Sequence, residues 1–299
     1  LSILDPAPLK NGSGRLDLAE QIVKQPIAMR VIVNRVWRAH FGTGLVDTPS
    51  NFGTTGERPT NPELLEYLAD WFVANGMSMK KLHREIMLSA VYQLANDDLK
   101  ENLDKDPANR LYWRANRHRM DAEQIRDSIL AAAGSLDRKM SGPSEPLTPE
   151  FKRRAVYGKV SRYRLDEYLQ LFDFPSPNIS AEKRFTTTVP LQRLFFMNSD
   201  FVQQQAEAIA QKIAGEADNA ARIQKAYRLV FARDASAEEV KLGLEYVRAE
   251  PMKEYEEQKA KPAKKESDEE AEQKKTPDPT AWGRFVKVLF SSNEFLFVN

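Results

Sequence analysis

Apolar residues recur along most of the chain at intervals of three and four, the spacing that gathers them on one face of an α-helix. Over residues 16–41 this pattern predicts two helices, with Pro26 opening the second and Gly42 closing it. Met29, Ile32, Val33 and Val36 form the buried stripe of the second helix. Arg30, Asn34 and Arg38 recur at i, i+4 and i+8 and make a separate polar face. Residues 42–61 contain Gly42, Gly44, Pro49, Gly53, Gly56 and Pro59, too dense a set of breakers for a regular element. Leu45, Val46 and Phe52 within that stretch predict a loop packed against the body rather than a floppy one.

Pro62 starts the next helix, where Leu64, Leu65, Leu68, Trp71 and Phe72 face the core and Gly76 supplies the stop. Ser78 caps another, whose stretch 82–94 is apolar on most sides (Leu82, Ile86, Met87, Leu88, Val91, Leu94) and is expected to run through the centre. Asp121 is placed as the N-cap of a helix to Ala133, with Gly134 ending it. One β-branched alternation over 155–160 suggests a short strand. Further helices are expected over 165–172, 190–197, 200–214, 220–232, 237–249 and 281–290, the fifth opened by Ser236 and Glu239 at capping-box spacing. Residues 252–279 consist almost entirely of Lys, Glu, Gln, Ala and Pro with no apolar period, which reads as a charged flexible insertion. The expected fold is all-α: an orthogonally packed multi-helix domain with long ordered loops and at most one short β element.

A length of 299 residues fits one large domain or two packed halves, and the chain is read as a single helical domain, 1–299, of a larger protein. The start at Leu1 suggests a fragment or a processed product. Hydrophobic residues at 41%, charged residues at 29% and a mean hydropathy of −0.56 describe a globular chain with a well-solvated surface. The formal charge of +1, from 44 basic and 43 acidic side chains, gives no global field toward nucleic acid or an anionic membrane. Nucleic-acid binding therefore ranks last. The absence of cysteine rules out disulfides, thiolate zinc sites, thiol nucleophiles and covalent haem attachment within this chain. No apolar run approaches the roughly 20 residues of a membrane span.

Two carboxylates, Glu123 and Asp127, stand one turn apart on one predicted helix face, which is unfavourable unless something compensates. Arg126, with Arg110, Arg114, Arg117 and Arg119 just upstream, offers the simplest compensation by ion pairing. The functional alternative is an acid or base of shifted pKa, or a hard-cation ligand. His40, His83 and His118 lie on separate segments, so a three-histidine metal site needs the fold to gather them, and no metal site is assigned. Glu123, Asp127, His40 and His83 are the catalytic candidates. Gly42 and Gly44 follow a helix and lack a third glycine in register, which removes a dinucleotide loop.

Arg30, Arg35, Arg38, the arginines from Arg110 to Arg119, and Lys152, Arg153, Arg154, Arg162 and Arg164 are interleaved with Tyr112, Trp113, Tyr157 and Tyr163. Such a mixture suits stacking on bases or binding of a sulfated or carboxylated glycan, against the alternative that the arginines pair internally. Arg30, Asn34, Arg35, Arg38, Asn51, Arg117, Arg119 and Arg126 are the binding candidates.

Several ordered segments carry a resemblance. They are Asn34-Arg35-Val36-Trp37 with His40-Phe41-Gly42-Thr43-Gly44, Asn51-Phe52-Gly53, Pro62-Glu63-Leu64-Leu65 and Asp106-Pro107-Ala108-Asn109-Arg110. Arg119-Met120-Asp121-Ala122-Glu123 with Arg126-Asp127, Phe172-Asp173, Thr187-Thr188-Val189-Pro190-Leu191-Gln192 and Ser292-Asn293-Glu294-Phe295 continue it. The chain resembles, over all but the charged insertion, the planctomycete surface domain family, also catalogued as domain of unknown function fifteen fifty-three. The resemblance brings no activity and no catalytic residues. It implies the C-terminal part of an exported multidomain protein with an extracytoplasmic (periplasmic or cell-surface) setting. It also implies other domains of the parent polypeptide as partners, and haem on a neighbouring cytochrome-c-like domain but no cofactor in this chain.

The expected function is an accessory or binding module of such a protein, contacting an anionic polysaccharide. The alternative is an enzyme, hydrolase or redox-linked, using the Glu/Asp pair with a histidine. The 42–61 loop is expected to lie over the Arg30/Asn34/Arg38 face, with the Glu123/Asp127 helix nearby.

Overall fold

The computed structural model describes residues 12–260 and 280–298, which form two compact units, one ending at His118 and the other spanning Arg119–Val298. The chain is mostly helical, and the one sheet among the described residues is a two-stranded pairing of β1 (His118–Arg119) with β2 (Phe297–Val298).

The first unit contains α1 (Arg15–Lys24), α2 (Pro26–Phe41), α3 (Pro62–Ala74), α4 (Met79–Leu88) and α5 (Lys100–Lys105). Proline at the first helical position of α2 and α3 costs nothing, because that N–H has no intrahelical acceptor. Asn61 then accepts from the Leu64 N–H at 3.0 Å and caps α3. Val33, Trp37 and Phe41 of α2 pack with Leu65, Leu68 and Phe72 of α3 and with Leu45 and Val46 of the 42–61 loop. That loop is as buried at Leu45 as any helix, which makes it part of the core.

The segment 82–94 departs from expectation. The helix starts at Met79 behind its Ser78 cap as expected, but it stops at Leu88 and gives way to a 3-10 turn, Ala90–Gln93. Ser89 makes the break: its Oγ donates to the Ile86 carbonyl at 2.6 Å and accepts from the Tyr92 N–H at 3.4 Å. Only Leu82 and Ile86 of α4 are buried, while Met87 and Leu88 are exposed, so α4 lies at the edge of its unit.

The second unit contains α6 (Ala122–Ala132), α7 (Glu167–Leu171), α8 (Pro190–Asn198), α9 (Asp200–Ile213), α10 (Asn219–Phe231), α11 (Ala237–Ala260), α12 (Ala281–Phe290) and α13 (Asn293–Leu296). Its core is built on α9, whose Val202, Ala206, Ile209 and Ile213 face Phe285, Val286, Leu289 and Phe290 of α12. Gly283 permits that approach, since a Cβ there would stand 2.0 Å from Glu207 Oε1. Glu207 in turn accepts from the Thr280 N–H at 2.7 Å.

The strand expected over 155–160 is instead a 3-10 turn, Ala155–Tyr157, with one isolated bridge between Glu145 and Gly158. Its side chains alternate, but among the described residues pairing stops at that single bridge. Of the expected insertion 252–279, residues up to Ala260 continue α11, and 261–279 lie outside the described residues.

Candidate anion-binding cleft

In the first unit, Asn34 is fully buried, with its amide Nδ2 donating to the Val46 carbonyl and its Oδ1 accepting from the Val46 N–H, both at 2.9 Å. A side chain thus treats the loop as a strand would, and satisfies both buried backbone groups. Asn51 is an internal brace of the same loop: its Oδ1 accepts from Gly53 N–H at 3.1 Å and its Nδ2 donates to Thr55 at 3.0 Å. Arg30 pairs with Glu66 at 2.7 Å, Arg117 faces Asp98 at 3.7 Å, Arg38 is also engaged, and Arg35 is exposed.

Two of the catalytic candidates meet here. His40 at the end of α2 and His83 on α4 share a hydrogen bond, Nε2 to Nδ1, of 2.7 Å. Burial, and then the charge of His83, lowers the His40 pKa, so the bond between neutral rings is favoured. Tyr92 packs edge-on against His40. No group of three metal-ligating side chains occurs among the described residues.

Glu123 and Asp127 stand on α6 in the second unit and have different surroundings. Glu123 is clamped by Arg184 at 2.7 and 2.9 Å, a fork-to-fork pair that also brings Asp121 within 3.4 Å. Burial alone would raise the Glu123 pKa, but the Arg184 hydrogen bonds and charge outweigh it and hold the carboxylate ionised. The ion-pair partner of Glu123 is therefore Arg184, which sequence reading missed, while Arg154 and Arg126 act on Asp127 through their charge without an ion pair. Asp127 accepts from the Ala155 N–H at 2.6 Å, and burial pushes its pKa up.

Arg119 is buried and spends its guanidinium on the Thr187 carbonyl and, at 2.7 Å, on Gln192 Oε1. Asp173, at a positive φ of 60°, receives the Thr187 N–H at 2.7 Å. These are residues of the motifs quoted above, and in the fold they tie the stretch before α8 to the start of the unit.

Arg126, one of the binding candidates, lines a cleft of about 520 Å³. The residue is 2% exposed, and its Nη2 donates to the carbonyls of Thr148 at 2.5 Å and Phe151 at 3.1 Å. Its guanidinium carbon lies 3.9 Å from the centre of the Phe201 ring, a cation–π contact. Among the described residues Nε has no acceptor, and no carboxylate lies within ion-pairing distance. Burial lowers the Arg126 pKa, against the opposing pull of Tyr168, Asp166 and Asp127.

Tyr168, Phe195 and Phe201 give the cleft aromatic walls, and Lys159 adds a second cation. Two carboxylates also line it but are occupied: Asp166 caps α7 by accepting the Tyr168 N–H at 2.9 Å, and Glu167 pairs with Arg164 at 3.1 Å. Neither Glu123 nor Asp127 lines this cleft. Sequence reading grouped Arg164 with the cationic clusters and offered Ser199 or Asp200 as a helix cap, but Lys159 and Tyr168 carried no local signal, because the lining converges from separated segments.

Fold and site define a mostly α-helical protein whose second unit carries an aromatic-walled cleft over a buried cation. No helix among the described residues is long and apolar enough to cross a membrane. The chain belongs to the family described as PSD1, protein of unknown function (DUF1553), whose model matches residues 14–247. No curated protein and no solved structure matches it.

Proposed function

We propose that the protein is a binding module that takes an anionic group of a glycan into the Arg126 cleft, as an accessory part of a larger exported protein. One observation carries this reading: a buried guanidinium without a carboxylate partner among the described residues, in a cleft of about 520 Å³. A buried charge is normally paired, since leaving it alone costs several kcal/mol. A ligand carboxylate or sulfate supplies the missing partner, and the Tyr168 and Phe195 faces suit the apolar C–H surface of a sugar ring.

The motif resemblance supports an extracytoplasmic setting beside a haem-bearing domain, where surface polysaccharides are the abundant anions. The enzyme reading has less support. Its four candidates divide between the two units, and Glu123 is held ionised by Arg184.

Retention on immobilised polygalacturonate and dextran sulfate at low salt, with neutral dextran as control, tests the proposal. Wild type should be retarded on at least one anionic polymer. Lys159→Glu should elute early, and Arg126→Gln should do so wherever it folds. Equal elution of wild type from the neutral and both anionic matrices rejects the proposal.

A further inference from the structure

The cleft has a second feature that points to an anion. Ser199 and Phe201 line it, and they belong to the N-terminus of α9, a helix of 14 residues. Ser199 is the N-cap, yet its hydroxyl makes no capping hydrogen bond. The backbone N–H groups of Asp200, Phe201 and Val202 have no acceptor among the described residues. Serine at this position ordinarily satisfies one of those donors, so an idle Ser199 Oγ beside free N–H groups is a capping arrangement left open.

Helix N-termini carry a partial positive charge and present N–H donors toward an incoming oxygen. Here that end shares a cleft with a guanidinium that is 2% exposed, bonds two carbonyls through Nη2 and makes no ion pair with a carboxylate among the described residues. The two features are independent: one comes from backbone on α9, the other from a side chain on α6.

We infer that the first turn of α9, with the Ser199 hydroxyl, and Arg126 together form the seat for a single oxyanion, the carboxylate or sulfate of one sugar unit. This rests on the binding reading above and sharpens it, since it fixes which end of the ligand goes deepest. The charged group lies between α9 and Arg126. The sugar body lies toward Tyr168, Phe195 and Lys159. Asp200 in the first turn is exposed and works against the seat, as a nearby like charge lowers affinity for an anion.

Substitution at Ser199 separates stability from binding. In Ser199→Asp the new carboxylate caps α9 and occupies the anion's place, so the melting temperature should hold or rise while binding falls. Titration calorimetry with sodium galacturonate, galactose 6-sulfate and neutral galactose reads the binding. One or both anionic sugars should bind wild type and galactose should not. Ser199→Asp should weaken the anion that binds by about tenfold or more, from lost helix-end and hydroxyl contacts together.

Asp200→Asn should strengthen that anion by roughly two- to fivefold. The preferred sugar tells carboxylate from sulfate. Undiminished binding in a folded Ser199→Asp protein overturns the seat, as does failure of both anionic sugars to bind wild type. Retention of wild type on the polymers alongside either result leaves the broader binding reading standing, so the two failures are distinguishable.

Discussion

Asn34 on α2 and Val46 in the 42–61 loop exchange two hydrogen bonds of 2.9 Å in a site closed to solvent. The pairing sets the path of the loop. Gly44 lies so close that a Cβ would stand 2.6 Å from the Val46 carbonyl and 2.8 Å from Asn34 Oδ1.

Asn34→Ala should therefore leave one buried donor and one buried acceptor unmet and cost about 2–4 kcal/mol. Gly44→Ala should destabilise the same unit by crowding that pair. Urea unfolding followed by tryptophan fluorescence, with Trp37 and Trp71 in this unit, measures both. A loss below about 0.5 kcal/mol in Asn34→Ala would show that the loop holds its place without the pair.

Glu123 and Asp127 should respond to neutralisation in opposite senses. The folded pKa of Glu123 is lowered, so its stabilisation is present at neutral pH and is lost as pH falls through that value. Glu123→Gln should cost roughly 1–2 kcal/mol at pH 7 by removing the bidentate partner of Arg184 and leaving it only Asp121. The folded pKa of Asp127 is raised, so ionising it disfavours the fold as pH rises through that value. Asp127→Asn keeps an acceptor for the Ala155 N–H and should be neutral or stabilising at pH 7. Thermal melts of the two variants check the pair, and equal losses would contradict it.

The His40 and His83 rings give the first unit a mild acid sensitivity. Because the His40 pKa is below its ordinary 6.5, the unfolded chain binds the proton more readily, and stability falls as pH drops through 6.5. The stability advantage of wild type over His40→Phe should be largest near pH 7.5 and shrink toward pH 5.5. A constant difference across that range would remove His40 as the cause.

A second acid-sensitive point lies in the other unit. Arg233 grips Glu239 at 2.7 and 2.8 Å and also Glu294, and Glu239 accepts from the Ser236 N–H at 2.7 Å. The Arg233 hydrogen bonds bring the Glu239 pKa from 4.5 to about 2, against the opposing effect of burial. Its contribution is complete above pH 4.5 and disappears as pH falls toward 2. Arg233→Met should melt below wild type at pH 7, and the gap should close under acid. A gap that persists at pH 2 would point to lost packing instead.

Much of the helical layout was legible because its signals are local. Pro26, Pro62 and Pro190 each open a helix, Asn61 and Ser78 cap theirs, and Ser236 with Glu239 forms the reciprocal cap that their spacing predicts. The site was much less legible. Arg184 is 61 residues from Glu123, His83 is 43 from His40, and nothing in a four-residue period encodes such meetings. Arg126 was named for its charge, but in the company of Glu123 and Asp127. Its surroundings are two carbonyls and a phenylalanine ring contributed by later segments.

That Arg126 meets no carboxylate among the described residues also makes the folding transition a sensor. A molecule that neutralises this guanidinium binds the native state and not the unfolded chain, and so raises the melting temperature in proportion to the logarithm of its concentration above its Kd. A dye-based thermal screen of small acids and acidic sugars would then report ligands directly, without a reaction to follow. Hits that vanish in Lys159→Glu would mark the cleft as their point of action.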